Sequence, residues 1–283
     1  MATHEEGRPG ADGRAAGRRR AQARARQRHP HARAGPLTAT RHVALEGPAN
    51  FRDLGSHTAA GGRVVRTGRL YRSDSLASVS DADVRYIVDT LALRTAVDLR
   101  AGHEVDDHPH RPLVDAGVAV HHRPIVDETR RRPDDTRVLP RGLDEAYALM
   151  LERFGHRFAA VVELIADGDK HPVVFFCAGG KDRTGLVAAL VLGALGVADA
   201  EIAADYALTA ENLPVLLERN RARAAARGVD PEVTEHELLV AEKATMLTVL
   251  ARLRSEHGSV EGYLERHGLD AEAVTALRAG LLA

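Results

Sequence analysis

The chain's one cysteine, Cys177, begins a run of residues whose types suit nucleophilic attack on a phosphate ester. The run reads Cys-Ala-Gly-Gly-Lys-Asp-Arg-Thr-Gly over residues 177–185. An apolar strand pattern precedes it at residues 172–176, and an apolar helix pattern follows it at residues 186–195. A thiol at a strand end, a loop containing glycines and the start of a helix together form an anion site with a nucleophile at its base.

The positions within this run suggest separate roles. Gly179 and Gly180 permit backbone angles that turn the loop amides inward, where they can bind phosphate oxygens. Arg183 can hold two of these oxygens in a bidentate fork. The helix N-terminus favours the thiolate form of Cys177, and Thr184 can donate a hydrogen bond to the sulfur as it leaves phosphorus. The predicted phosphate-binding residues are Ala178, Gly179, Gly180, Lys181, Asp182 and Thr184.

The run resembles the signature loop of atypical bacterial tyrosine phosphatases, and three other segments look like motifs of that family in the same order. They are residues 50–55 (Asn-Phe-Arg-Asp-Leu-Gly), 68–73 (Gly-Arg-Leu-Tyr-Arg-Ser) and 97–100 (Val-Asp-Leu-Arg) with Glu104. The family usually has His directly before the nucleophile, where this chain has Phe176, and Gly-Gly where it has Gly55-Ser56. The resemblance implies hydrolysis of phosphotyrosine through a phosphocysteine, with activity on phosphoserine, phosphothreonine or phosphoinositides as a further option. It implies no metal or organic cofactor.

A general acid must protonate the leaving oxygen in such a reaction. Asp98, near the end of a predicted strand, is the first candidate, because the resemblance places a catalytic carboxylate in this motif. The alternative is that Asp98 pairs with Arg100 or Arg52 and only supports the loop. Asp182, inside the loop, is the second candidate, although it could instead orient Arg183. Asp127 is a distant third.

Two further positions carry open alternatives. Lys181 either adds affinity for doubly charged or multiply phosphorylated substrates or is a solvated loop lysine. Arg52 and Asp53 are expected to brace the site through an ion pair rather than to react.

Two other functions share part of this pattern. A phosphatase-like module that binds phosphorylated ligands with little turnover is favoured only by Phe176. Sulfur transfer of the rhodanese kind shares a loop that begins with cysteine, but the segments at residues 50–53 and 98–100 argue against it.

The pattern of strands and helices predicts an α/β fold with a mostly parallel central sheet flanked by helices. Predicted strands cover residues 63–66, 70–72, 95–99, 118–122 and 173–176. Predicted helices cover residues 80–91, 143–166, 185–195, 199–208, 211–226, 231–256, 259–267 and 270–281, with loops at 107–112 and 123–141. The resemblance implies that helices between about residues 199 and 240 form a mobile lid. The charged run at residues 218–223 either meets anionic substrate or is a solvated helix face.

Composition limits the partners and the compartment. The net charge is −1, so no global basic field indicates nucleic acid, and no run of 18 apolar residues predicts a membrane span. A single cysteine fits a reducing compartment, so we expect a cytoplasmic protein or one exported without a signal peptide. Phosphorylated proteins or phosphoinositides are the expected partners.

The first 36 residues differ from the rest of the chain. They hold nine arginines and three acidic residues, and this composition predicts a disordered basic tail before a single phosphatase-like domain at residues 37–283. The tail either touches nucleic acid or anionic lipid or is simply unstructured. The histidines at 103, 108, 110, 121 and 122 lack the spacing of a zinc site, so no metal is expected.

Overall fold

The computed structural model describes residues 41–106, 111–126, 142–226 and 240–283, and Thr40–Ala283 forms one compact unit. The predicted tail lies outside the described residues, as do Asp127, residues 107–110 and 127–141 of the predicted loops, and residues 231–239 of a predicted helix. The strands in the described part are β1 Arg52–Asp53, β2 Leu70–Ser73, β3 Thr95–Asp98, β4 Ala119–His122 and β5 Val173–Phe176. The helices there are α1 Asp81–Arg85, α2 Gly102–Asp106, α3 Arg111–Asp115, α4 Leu143–Ala166, α5 Asp182–Ala194, α6 Asp199–Ala207, α7 Leu213–Ala226, α8 Lys243–His257, α9 Val260–Arg266 and α10 Ala271–Leu281.

The five strands form one sheet in the order β1-β2-β5-β3-β4. Strand β1 is antiparallel to β2, whereas β2, β5, β3 and β4 are mutually parallel. The predicted α/β class with a mostly parallel sheet is therefore confirmed.

Strand β5 occupies the middle of this sheet and is buried on both faces. Val173 and Phe175 pack into the larger apolar cluster with α4 and α5, while Val174 and Phe176 pack into the smaller cluster on the other face. Continuous apolar strands are typical of parallel sheets that helices cover on both sides. This burial fixes the position of the residue that follows the strand, which is Cys177.

Helices α1 and α4 begin where the sequence predicts, whereas α5 begins at Asp182, three residues before its predicted start, and α8 begins at Lys243, because residues 240–242 of that predicted helix are not helical. Ser80 caps α1 and forms a capping box with Asp83; a π-helical turn, Tyr86–Thr90, continues the predicted helix. The long helix α4 covers its predicted range and has a break at Phe154, where φ is −120°. Among the described residues, no helix is both long and apolar enough to cross a bilayer.

Four local elements differ between the prediction and the structure, and one of them, α3, includes residues 111 and 112 of a predicted loop. The strand predicted at residues 63–66 is absent: Val64 and Val65 make only isolated bridges, to Thr58 and Leu282. Conversely, the sequence pattern does not predict β1, α2 and α3. Segments of two to five residues are too short to show a periodicity, so tertiary contacts decide their conformation.

Candidate active site

The carboxyl ends of three parallel strands meet at one edge of the sheet and gather the candidate residues there. Ser73, Asp98 and Phe176, the last residues of β2, β3 and β5, are in register. Cys177 follows β5 directly and is 2% exposed. The crevice beyond such strand ends is where open α/β sheets bind ligands.

The loop from Cys177 to Arg183, called the signature loop below, has three successive carbonyls tied to groups outside it. The backbone N–H of Ser75, Nδ2 of Asn50 and the guanidinium of Arg72 donate to the carbonyls of Ala178, Gly179 and Gly180 at 3.2, 3.2 and 2.8 Å. In a trans peptide the N–H points away from the carbonyl. The amides of the next three residues therefore face the opposite side, as an anion-binding nest requires.

Gly180 is essential to this conformation, whereas Gly179 is not. Gly180 has φ +65°, and a Cβ there would lie 2.6 Å from backbone atoms of Ser73 and Asp74. Gly179 has open space around the position of a Cβ. The sequence predicts that both glycines are needed for the loop conformation, but the structure requires glycine only at position 180.

Gly180→Ala should destabilise the protein strongly, and Gly179→Ala should not. We expect a loss of about 3 kcal/mol in the free energy of unfolding for Gly180→Ala, because strain and a backbone collision add. Gly179→Ala should cost less than about 1 kcal/mol. Urea unfolding of both variants measures this difference, and equal losses would contradict the geometry.

Arg183 enters the site from the first turn of α5 and is held by Glu104 of α2. The two guanidinium nitrogens lie 2.5 and 3.0 Å from the carboxylate oxygens of Glu104. Burial disfavours the charged guanidinium, but the hydrogen bonds to Glu104, together with the negative charge of Cys177, outweigh burial and raise the pKa of Arg183. The ion pair likewise outweighs burial at Glu104 and lowers its pKa. Arg183 is thus a permanently charged, oriented fork beside the sulfur.

Asp98 is buried and closely engaged by Arg100. Its side chain is 0% exposed and accepts hydrogen bonds from Nε and a terminal nitrogen of Arg100 at 2.7 to 3.1 Å. The guanidinium of Arg100 also lies 5.6 Å from the ring centre of Phe176. Phe176 thus packs in the apolar cluster beneath an arginine, at the position where the family usually has histidine.

Lys181 and Asp182 meet beside helix α4. Lys181 is 2% exposed, so the alternative of a solvated loop lysine is wrong. Its Nζ lies 3.3 Å from Oδ1 of Asp182, which is partly exposed. Oδ1 also accepts a hydrogen bond of 2.5 Å from the Tyr147 hydroxyl. No sequence pattern marks Tyr147 as a site residue, since it lies 35 positions away.

Thr184 lies at the start of α5 with its hydroxyl enclosed. The side chain is 0% exposed, and Oγ1 has no hydrogen-bond partner among the described residues. A buried hydroxyl without a partner is costly. The hydroxyl is therefore available for the role expected from the sequence, a hydrogen bond to the Cys177 sulfur as this sulfur leaves phosphorus.

The signature loop is supported by a largely buried ionic cluster, which contacts the loop where Arg72 donates to the carbonyl of Gly180. The cluster consists of Arg41, Arg52, Arg72 and Asp205. Asp205 of α6 accepts from Arg52 at 3.2 Å and from Arg72 at 2.7 Å, and Arg41 lies at 3.3 Å. The expected ion pair between Arg52 and Asp53 is wrong, because consecutive residues of a strand point to opposite faces. The Asp53 carboxylate instead accepts hydrogen bonds from the backbone N–H groups of Gly55 and Gly68.

Helix α7, part of the predicted lid, is anchored beside the loop. Arg219 donates to Asp74 Oδ2 at 3.1 Å and to the carbonyl of Gly47 at 2.5 Å. The sequence suggests that residues 218–223 either meet anionic substrate or form a solvated helix face. Arg219, which lies in this run, instead binds two groups of the protein itself. The lid itself stays a prediction.

The described residues contain no group of three or more His, Cys, Asp or Glu side chains that could hold a metal ion. His108 and His110 lie outside them.

Comparison with known proteins adds independent information. A model of a family described as the tyrosine phosphatase family matches residues 43–283. A Cupriavidus necator protein assigned as a tyrosine-protein phosphatase is 34% identical over 266 residues, covering 90% of this chain and 93% of its own length. The triple specificity protein phosphatase PtpB of Mycobacterium tuberculosis is 31% identical over 280 residues, covering 84% of this chain and 98% of its own. A tyrosine-protein phosphatase of Nostoc commune is 30% identical over 219 residues, covering 74% and 73%.

Proposed function

The chain belongs to the tyrosine phosphatase family and is a protein-tyrosine phosphatase, and on that premise we propose that it acts through a phosphocysteine formed on Cys177. The observation that carries this proposal is that three carbonyls of the signature loop, which begins with Cys177, accept hydrogen bonds from groups outside it. The amide that follows each carbonyl therefore faces the opposite side of the loop. A preformed set of donors is the largest contribution that a protein makes to phosphoryl transfer.

In the first step, the Cys177 thiolate attacks phosphorus, and the bond from phosphorus to the leaving oxygen breaks. Arg183 and the loop amides bind the non-bridging oxygens, on which charge accumulates. A carboxylic acid gives its proton to the leaving oxygen, so that an alcohol or phenol departs. In the second step, the same carboxylate takes a proton from water. The water oxygen attacks phosphorus, the sulfur–phosphorus bond breaks, and Thr184 donates a hydrogen bond to the departing sulfur.

The environment favours Asp182 over Asp98 as the general acid. An acid that alternates between proton donor and acceptor needs access to substrate and water, and Asp182 is partly exposed inside the signature loop. Asp98 is fully buried, and Arg100 engages both of its oxygens. A carboxylate that is enclosed and engaged at both oxygens in this way is poorly placed to exchange a proton with substrate or water. We therefore assign proton transfer to Asp182 and the orientation of Arg100 to Asp98.

The substrate is a phosphate monoester, with phosphotyrosine in a protein as the proposed class. The name of the mycobacterial relative describes triple specificity, and this supports adding phosphoserine, phosphothreonine or phosphoinositide monoesters as substrates. Lys181 places a second cation within the loop, which would favour ligands of higher negative charge. The proposed reaction uses no metal or organic cofactor.

Acid quenching during turnover tests the phosphocysteine directly. With a ³²P-labelled phosphotyrosine peptide as substrate, we expect the protein to become labelled through a phosphate group bonded to sulfur. After digestion of the protein, the label should be found on the fragment that contains Cys177. Turnover and labelling should not change when EDTA is added. Turnover without bound label, or label on another residue, would contradict the mechanism. Phosphate binding without any turnover would favour the alternative, a phosphatase-like binding module.

A further inference from the structure

Tyr147, on helix α4, reaches the signature loop from outside it. Its hydroxyl lies 2.5 Å from Oδ1 of Asp182 and 2.8 Å from the hydroxyl of Tyr206 on α6. Both tyrosines are 1% exposed, and their rings pack edge to face with centres 6.2 Å apart. Two helices thus converge on one carboxylate through a pair of buried hydroxyls.

The direction of these hydrogen bonds follows from proton counting. An ionised carboxylate only accepts hydrogen bonds, and a tyrosine hydroxyl has a single proton. Tyr147 therefore donates to Asp182 and accepts from Tyr206. Burial raises the pKa of both tyrosines, so both remain neutral donors throughout the range in which a carboxylate titrates.

We infer that Tyr147 is a positioning residue for proton transfer by Asp182. Tyr147 and Lys181 both contact Oδ1, which leaves Oδ2 to carry the proton toward the leaving oxygen. The inference rests on the proposed function, since it needs Asp182 to be the acid. A fixed carboxylate matters because proton transfer requires hydrogen-bond distance in the transition state.

The dependence of rate on the leaving group distinguishes positioning from general stabilisation. A leaving group of high pKa, such as phenol, needs the proton, whereas p-nitrophenol departs more readily without it. For Tyr147→Phe, we expect kcat/KM to fall about tenfold on phenyl phosphate but less than about threefold on p-nitrophenyl phosphate. Asp182→Asn should show the same discrimination with a larger loss.

Tyr263→Phe is a matched control that acts on the same helix. The Tyr263 hydroxyl is also buried and donates to the carbonyl of Leu151, one turn beyond Tyr147 on α4, at 2.9 Å. Its loss should lower stability without changing the ratio of kcat/KM between the two substrates. If Tyr147→Phe behaves like Tyr263→Phe, the positioning role is overturned.

A double variant separates this inference from the function on which it rests. In the Asp182→Asn background, Tyr147→Phe should not change the leaving-group dependence further, because the acid is already absent. If Asp182→Asn loses more activity on phenyl phosphate than on p-nitrophenyl phosphate and Tyr147→Phe does not, the role of Tyr147 is contradicted while Asp182 remains the acid. No effect in Asp182→Asn would remove the acid assignment and this inference together, while Cys177-dependent turnover would still support the phosphatase mechanism.

Discussion

Cys177→Ser should lower kcat for aryl phosphates by at least about 10⁴-fold, an effect of the size seen when a covalent nucleophile is removed. A serine hydroxyl stays protonated near neutral pH and is a far weaker nucleophile toward phosphorus than a thiolate. The side chain lies at the base of the signature loop and is 2% exposed. Serine has nearly the same volume there, so the loop and its amides should keep their arrangement.

Two measurements on one preparation make the test sharp. Steady-state hydrolysis of p-nitrophenyl phosphate gives the loss of turnover, and thermal unfolding with and without inorganic phosphate reports the binding site. Cys177→Ser should keep the stabilisation by phosphate. Arg183→Gln is the contrasting variant, which should lose it because the oriented fork disappears. Near-normal turnover in Cys177→Ser would mean that another group attacks phosphorus.

The signature loop could be predicted from sequence because its determinants are local. An apolar strand, the turn at Gly180 and the apolar helix α5 follow each other within about twenty residues, and each is typical of one conformation. Neighbouring strand ends also bring the segment around Asp98 to the same edge. Short-range patterns thus determine both the fold class and the position of the nucleophile.

The partners of the site residues could not be predicted in this way. Asp205 joins Arg52 across 153 positions, and Tyr147 joins Asp182 across 35. Nothing periodic marks a single buried aspartate or tyrosine on an amphipathic helix. Such pairings depend on how helices pack, and this explains why the expected partner of Arg52 was wrong.

Phe176 shows how packing can change the meaning of a sequence departure. The missing histidine suggests a loop with weaker support. In the structure, the position faces the smaller apolar cluster and Arg100, while Asn50, Arg72 and Ser75 hold the loop carbonyls. The described contacts of the loop therefore come from groups other than the residue before the nucleophile.

The buried cluster behind the loop leads to the second large expected effect. Burial alone would raise the pKa of Asp205, but Arg52, Arg72 and Arg41 outweigh it and hold that pKa well below its usual range. Burial, followed by repulsion from Arg52, lowers the pKa of Arg72 to about 10. One carboxylate thus compensates three guanidiniums, two of which are almost completely enclosed.

Asp205→Asn should therefore lower the free energy of unfolding by about 3–5 kcal/mol, because it leaves buried arginines without their counter-charge. Denaturant unfolding measures the loss. Asp199→Asn is the matched control: Asp199 lies on the same helix, but its ion pair with Arg254 is partly exposed, so the substitution should cost less than about 1 kcal/mol.

The pH dependence of the free energy of unfolding gives a second readout of the same cluster. Since the folded-state pKa is depressed, the contribution of Asp205 is complete above about pH 4 and is lost as pH falls toward the folded value. Below about pH 4, the stability of the wild-type protein should consequently fall more steeply than that of the Asp205→Asn variant, and parallel curves would show that the cluster does not hold this carboxylate ionised.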